Sequence, residues 1–207
     1  LKREKILLID GHSILSRAFY GVPFLNNKEG IPTNGIYGFL NILFKEIEVE
    51  ETEYVAVAFD VPKPTFRHKL FPEYKGTRKG MPEELKEQVP LLQELLRKMH
   101  MPLLMMEGFE ADDILGTVAK QMQVEGKEVV VVSGDRDLLQ LSDEHIKISI
   151  PKTSKGETTT GTFPRSTFGF APSTPTGSTG RRRLSCMAPC PMISLTITTF
   201  FFPGLLS

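Results

Sequence analysis

The chain has 207 residues, 40% of them apolar, enough for one domain with a sizeable core and an appended segment. Lys plus Arg and Asp plus Glu number 25 each, which excludes overall charge attraction to nucleic acid; any such role has to come from local clustering. The only cysteines, Cys186 and Cys190, lie far along the chain, so the body has neither a disulfide framework nor a thiolate metal site, and no stretch approaches the ~18 apolar residues of a membrane span.

Residues 5–9 form a short apolar run suited to a buried strand, and Asp10 follows it. Ile36, Phe39, Leu40, Leu43 and Ile47 recur at helical spacing. Residues 54–59 predict a second strand, followed by Asp60. After a basic stretch, Pro82 precedes a second helical stripe of Leu85, Val89, Leu92, Leu96 and Met99, since proline is tolerated in a helix's first turn. Residues 102–106 predict a third strand, with Glu110, Asp112 and Asp113 beyond it, and Ile114, Leu115, Val118, Ala119 and Met122 make a third helical stripe. Residues 128–133 predict a fourth strand, followed by Asp135 and Asp137, and residues 146–150 a fifth. The alternation predicts an α/β fold, a mostly parallel sheet with helices on both faces and right-handed crossovers.

Chemistry in such folds gathers where the carboxyl ends of the strands open. There the chain places Asp10, Asp60, Glu110, Asp112, Asp113, Asp135 and Asp137. Each acid alone has an ordinary explanation, because turns favour Asp and an Asp near a helix start caps it, as Asp112 or Asp137 is placed to do. Acids after four successive strands ask for more. Converging carboxylates repel one another unless a cation compensates, and oxygen-only donors favour Mg²⁺ or Mn²⁺ over zinc. Two such ions serve phosphodiester hydrolysis. His12, a lone histidine after a strand, is expected to be a hydrogen-bonded structural residue. Asp10-Gly11-His12 lacks the second Asp of the usual phosphatase pair, which disfavours a phosphatase or receiver domain.

Between the second strand and Pro82, Lys63, Arg67, Lys69, Lys75, Arg78 and Lys79 surround Phe66, Phe71 and Tyr74, with Glu73 the one acid. Basic groups interleaved with aromatics neutralise phosphates and stack on unpaired bases. Beside the acids, DNA binding is favoured over a solvated loop.

Four stretches carry a family resemblance: LLIDGHSILSRAFY from Leu7, VAFDVPKPTFRHKLFPEYKGTRKGMPEEL from Val57, GFEADDILGT from Gly108 and VVSGDRDLLQL from Val131. With their spacing they cover residues 5 to about 159, and they closely resemble the 5′-nuclease (5′-3′ exonuclease) domain of bacterial DNA polymerase I, within the flap-endonuclease and PIN-like group. The resemblance implies a metal-dependent 5′-3′ exonuclease or structure-selective flap endonuclease acting in replication and repair. It implies that Asp10, Asp60, Glu110, Asp112, Asp113, Asp135 and Asp137 surround Mg²⁺ or Mn²⁺ ions. It also implies that Arg67, Tyr74, Lys75, Arg78 and Lys79 bind DNA in an arch region, Lys75 and Arg78 acting as catalytic residues near the scissile phosphate. The implied partners are DNA with a 5′ flap or 5′ end and a DNA polymerase; the cysteine-free body and a start without a signal-peptide core give the expectation of a cytoplasmic protein away from the membrane.

The resemblance stops near Thr160. The family continues with a Gly-Asp-x-Ser-Asp-Asn-x-Pro-Gly-Val-x-Gly-Ile-Gly segment that has no counterpart here. Residues 161–207 hold four arginines but no Asp, Glu or Lys and are rich in Ser, Thr, Pro and Gly. They are read as an irregular tail after a catalytic domain of residues 1–160, disordered or the product of a shifted reading frame. Loss of that segment opens one alternative, a noncatalytic DNA-binding remnant; a PIN-like ribonuclease, which would share the carboxylates but need no long basic arch, is another.

Overall fold

The computed structural model of the chain describes residues 3–163 apart from 53, 72, 75, 77–79, 155 and 156. Its centre is β1 (Lys5–Asp10), flanked in parallel by β2 (Tyr54–Ala58) and β4 (Glu128–Val132). The two-residue β3 (Leu103–Leu104) adds to β2 and β5 (Ile146–Ser154) to β4, also in parallel, and β6 (Glu157–Phe163) closes the far side antiparallel to β5. The order is β3-β2-β1-β4-β5-β6. This is the expected mostly parallel sheet.

Why the strands read as continuous apolar runs is visible in their packing. Ile6, Leu8, Ala56, Ala58, Val129 and Val131 face α5 (Ala111–Val124) on one side of the sheet. Their alternates Leu7, Ile9, Val57, Val130 and Val132 face α1 (Gly11–Gly21), α2 (Asn34–Glu50) and α4 (Glu83–Lys98) on the other. A strand covered on both faces needs apolar residues at every position, not every second one. Helices therefore lie on both faces, as expected.

Four departures have local causes. α1 lies where no helix is expected; Asp10 caps it by accepting the Ser13 N–H at 3.0 Å, and Ile14, Leu15 and Ala18 supply its buried stripe. Its first residue has to be glycine, since a Cβ on Gly11 would come within 2.4 Å of the buried Phe59 ring. The third strand shrinks from residues 102–106 to two because it is an edge strand opened by Pro102, which offers only a carbonyl, accepting the Val57 N–H at 3.0 Å. A short helix α3 (Phe66–Leu70) stands at the base of the basic stretch, closed by the Thr65 N–H donating to His68 Nδ1 at 3.2 Å. The fifth strand runs on past residue 150 into the β5–β6 hairpin, so the boundary expected at residue 160 falls inside β6, whose threonines suit a strand. Residues 164–207, with Cys186 and Cys190, lie outside the described residues.

Candidate active site

The sheet order locates the crevice before any side chain is considered. The chain builds outward from β1 through β2 to β3, then crosses back to β4 on the opposite flank of β1. The loops leaving β1 and β4 therefore diverge, and a crevice opens at their carboxyl ends. Asp10 ends β1 and Asp135 follows β4.

Asp10 is 5% exposed; its Oδ1 caps α1 and its Oδ2 accepts the Ser133 hydroxyl at 2.8 Å. The same hydroxyl oxygen accepts the Asp135 N–H at 3.0 Å, so one buried serine ties the two strand-end aspartates together. Asp135 Oδ1 accepts the Asp137 N–H at 2.9 Å and opens a short 3-10 helix, Arg136–Leu141. Asp60, after β2, accepts the Ala111 N–H at 2.6 Å, which holds the α5 N-terminus against the crevice. His12 Nδ1 accepts the Asp60 N–H at 3.2 Å, and its ring stands edge-on to Phe59, the structural placement expected of it.

Asp112, in the first turn of α5, reports the charge of the crevice. Burial, then the negative charges of Asp10, Asp135, Asp60 and Glu110, push its carboxyl up from 3.8 to about 7. Asp10 is also raised, chiefly by burial and further by Asp60, against the opposing hydrogen bonds from Ser13 and Ser133. Asp10, Asp60, Glu110, Asp112 and Asp135 thus share one electrostatic neighbourhood. Among the described residues, however, no three His, Cys, Asp or Glu side chains are gathered tightly enough to hold a metal ion as they stand. A cavity of about 400 Å³ lies on the α1 side, lined by Ser13, Ser16, Arg17, Tyr20, Gly21 and Gly134 rather than by the carboxylates. It is polar and touches the crevice only through Ser13 and Gly134, the chain neighbours of the acids, so the acids' mutual electrostatics locate the chemistry better than the cavity does.

Two expected site residues stand in contact with each other. Asp113, grouped with the metal-binding acids, is fully buried and takes both forks of Arg67, Nη1 to Oδ2 at 2.6 Å and Nη2 to Oδ1 at 2.7 Å. Its Oδ2 also accepts the Glu110 N–H at 3.1 Å, so capping of α5 falls to Asp113, not Asp112. Arg67, expected to meet DNA, is spent on that pair and sits 3.5 Å from Glu110; the Asp113 hydrogen bonds raise its already high proton affinity. The Tyr74 hydroxyl donates to Glu110 Oε2 at 3.3 Å, on the same network. Asp137 is exposed at the start of the 3-10 helix. Lys75, Arg78 and Lys79 lie outside the described residues. Ser133, Ser13 and Arg17 are not singled out by sequence, although the Ser133-Gly134-Asp135 order after β4 and the four-residue spacing of Ser13 and Arg17 are signals it carries.

Together these features define a doubly wound α/β domain with an acidic crevice at its switch point. The chain belongs to the 5′-3′ exonuclease N-terminal resolvase-like domain family, whose model matches residues 5–165. It is 51% identical over 150 residues to DNA polymerase I of Bacillus caldotenax, covering 72% of this chain and 17% of that protein. It is 40% identical over 148 residues to a 5′-3′ exonuclease of Aquifex aeolicus, covering 72% of this chain and 51% of that one. The chain thus spans less than a fifth of the polymerase and about half of the exonuclease. Among solved structures, the T5 5′-exonuclease with bound divalent metal ions (zinc) superposes with TM-score 0.53 at 20% identity, covering 71% of this chain and 55% of that one. The bacteriophage T5 flap endonuclease in a pseudo-enzyme-product complex with DNA and metal ions does so with TM-score 0.55 at 22% identity, covering 71% and 55%. These likenesses are likenesses of fold.

Proposed function

We propose that this chain is a metal-dependent 5′-3′ exonuclease or flap endonuclease domain that hydrolyses phosphodiester bonds of DNA bearing a 5′ end or 5′ flap, and that it works alongside a DNA polymerase. One observation carries the reading: Asp112 is driven to about 7 by burial and four surrounding carboxylates. A crevice with that much uncompensated negative charge is suited to cations. The donor set fits a hard divalent ion, being all carboxylate oxygen, with His12 Nδ1 engaged by a backbone N–H. Asp10, Asp60, Glu110, Asp112 and Asp135 would hold Mg²⁺ or Mn²⁺. When bound, such an ion neutralises charge on the phosphodiester and on the attacking oxygen. The chain's own residues do the positioning: Ser133 sets Asp10 and Asp135 relative to each other, Asp60 holds the start of α5 in place, and Arg67 keeps Asp113 out of the crevice. Lys75, Arg78 and Lys79 supply basic charge toward the DNA backbone.

The test is cleavage of a 5′-labelled flap substrate in Mg²⁺ or Mn²⁺, with chelator as control. Metal-dependent release of the labelled flap is the expected outcome. A noncatalytic DNA-binding role is the second reading, favoured by residues 161–207, which carry no counterpart of the family's Gly-Asp-x-Ser-Asp-Asn segment. Flap binding without cleavage under any divalent ion would select it.

A further inference from the structure

Ser13 and Arg17 stand one turn apart on α1, and both reach Gly134. The Ser13 hydroxyl oxygen accepts the Gly134 N–H at 2.9 Å, and Arg17 Nη2 donates to the Gly134 carbonyl at 3.2 Å. Arg17 Nη1 donates to the Pro151 carbonyl at 2.6 Å, so one guanidinium spans the exit of β4 and the far part of β5. Nothing larger than glycine fits in this clasp: a Cβ on Gly134 would lie 2.9 Å from Arg17 Nε, Arg17 Nη2 and Ser13 Oγ alike.

What the clasp holds is the link between two acids. Gly134 follows Ser133, whose hydroxyl donates to Asp10, and precedes Asp135, whose N–H donates to that hydroxyl. Fixing both polar groups of Gly134 therefore fixes where Asp135 stands relative to Asp10. The Arg17 Nε is buried and unpartnered among the described residues, a desolvation that nothing nearby offsets. A residue present for stability alone is poorly explained by such a cost; one needed for its fork geometry is explained well, because lysine carries the charge without the fork.

We propose that Arg17 is a positioning residue of the carboxylate crevice, which by clasping the carbonyls of Gly134 and Pro151 sets Asp135 against Asp10 and so sets the crevice's affinity for a divalent cation. The inference rests on the metal reading above. It is tested by calorimetric Mn²⁺ titration of the 207-residue chain as wild type, Arg17→Met, Arg17→Lys and Gly134→Ala, each accompanied by a circular-dichroism melt. Loss of a group that orients metal ligands weakens metal binding by about 10–100-fold. That loss is expected in all three variants, without rescue by lysine and with the folded spectrum retained at the titration temperature. Should Arg17→Met fail to fold, Arg17→Lys and Gly134→Ala carry the measurement. Wild-type Mn²⁺ affinity in the folded variants overturns the proposal, as does full rescue by lysine, which would make the effect one of charge. A wild-type chain that takes up no Mn²⁺ overturns the metal reading itself and the clasp's role with it.

Discussion

Asp112 and Asp113 are neighbours in the chain and opposites in the fold. Asp112 faces the crevice, where four other carboxylates press its proton affinity upward. Asp113, about a hundred degrees further around the first turn of α5, is fully buried at the base of the basic stretch and gripped by Arg67. The acidic region accumulates repulsion that a cation would relieve, while Asp113 is already neutralised by Arg67 from within the protein. Two carboxylates one residue apart can therefore serve binding in one case and anchoring in the other.

The largest test of this contrast is Arg67→Ala. Stranding a buried charge by removing its partner costs about 3–5 kcal/mol, so urea unfolding should show a loss of that order. An exposed, DNA-facing arginine would cost almost nothing, and a loss under about 1 kcal/mol would return Arg67 to the phosphate-binding set.

A smaller effect of opposite sign is expected for Asp112→Asn in chelator. The folded-state value of Asp112 is raised above 3.8 to about 7, so the protonated acid is favoured by folding. Its contribution is fully present below about pH 4 and is lost as pH rises through about 7. Removing the charge should therefore stabilise the metal-free protein by on the order of 1–3 kcal/mol at about pH 8 and flatten the fall in melting temperature between about pH 4 and 7. The same variant, and Asp135→Asn, should weaken Mg²⁺ or Mn²⁺ binding in a calorimetric titration more than they weaken DNA binding. Unchanged metal affinity in both would leave these acids as turn and capping residues.

The smallest effect concerns the basic stretch beyond Arg67. Lys75→Ala and Arg78→Ala should each flatten the salt dependence of flap-DNA binding, the slope falling by ~0.7–0.9 for every phosphate that is no longer neutralised. Unaltered slopes in both would make the stretch a solvated loop.

The sequence made the strands legible because burial on both faces forces unbroken apolar runs, and it made the crevice legible because the acids follow the strands one after another. It concealed what depends on pairing across the chain. Nothing local in Glu110-Ala111-Asp112-Asp113 says which aspartate meets an arginine 46 positions earlier. The Arg17 clasp is hidden for the same reason, joining positions 134 residues apart. Helix α1 has a signal in the sequence, since Asp10 before Ile14, Leu15 and Ala18 is a cap followed by a stripe, but the stripe is short and its cap coincides with a strand-end acid. Strand β6 straddles the boundary expected at residue 160, because acids and lysines stop beyond it and that change of composition hides a strand that continues to Phe163.

Asp10, Asp60 and Asp135 each give one oxygen to a backbone N–H at a helix start, those of Ser13, Ala111 and Asp137. The same side chains that would serve catalysis thus also serve folding. Asparagine keeps the acceptor oxygen and removes the charge, whereas alanine removes both and frays the helix start, so only the amide isolates chemistry from scaffold. Over evolutionary time the coupling acts as a ratchet. A lineage of this fold that ceased to cut nucleic acid would still be selected to keep an acceptor oxygen at these three positions, which asparagine supplies as well as aspartate, so the side-chain oxygens would outlast the charges.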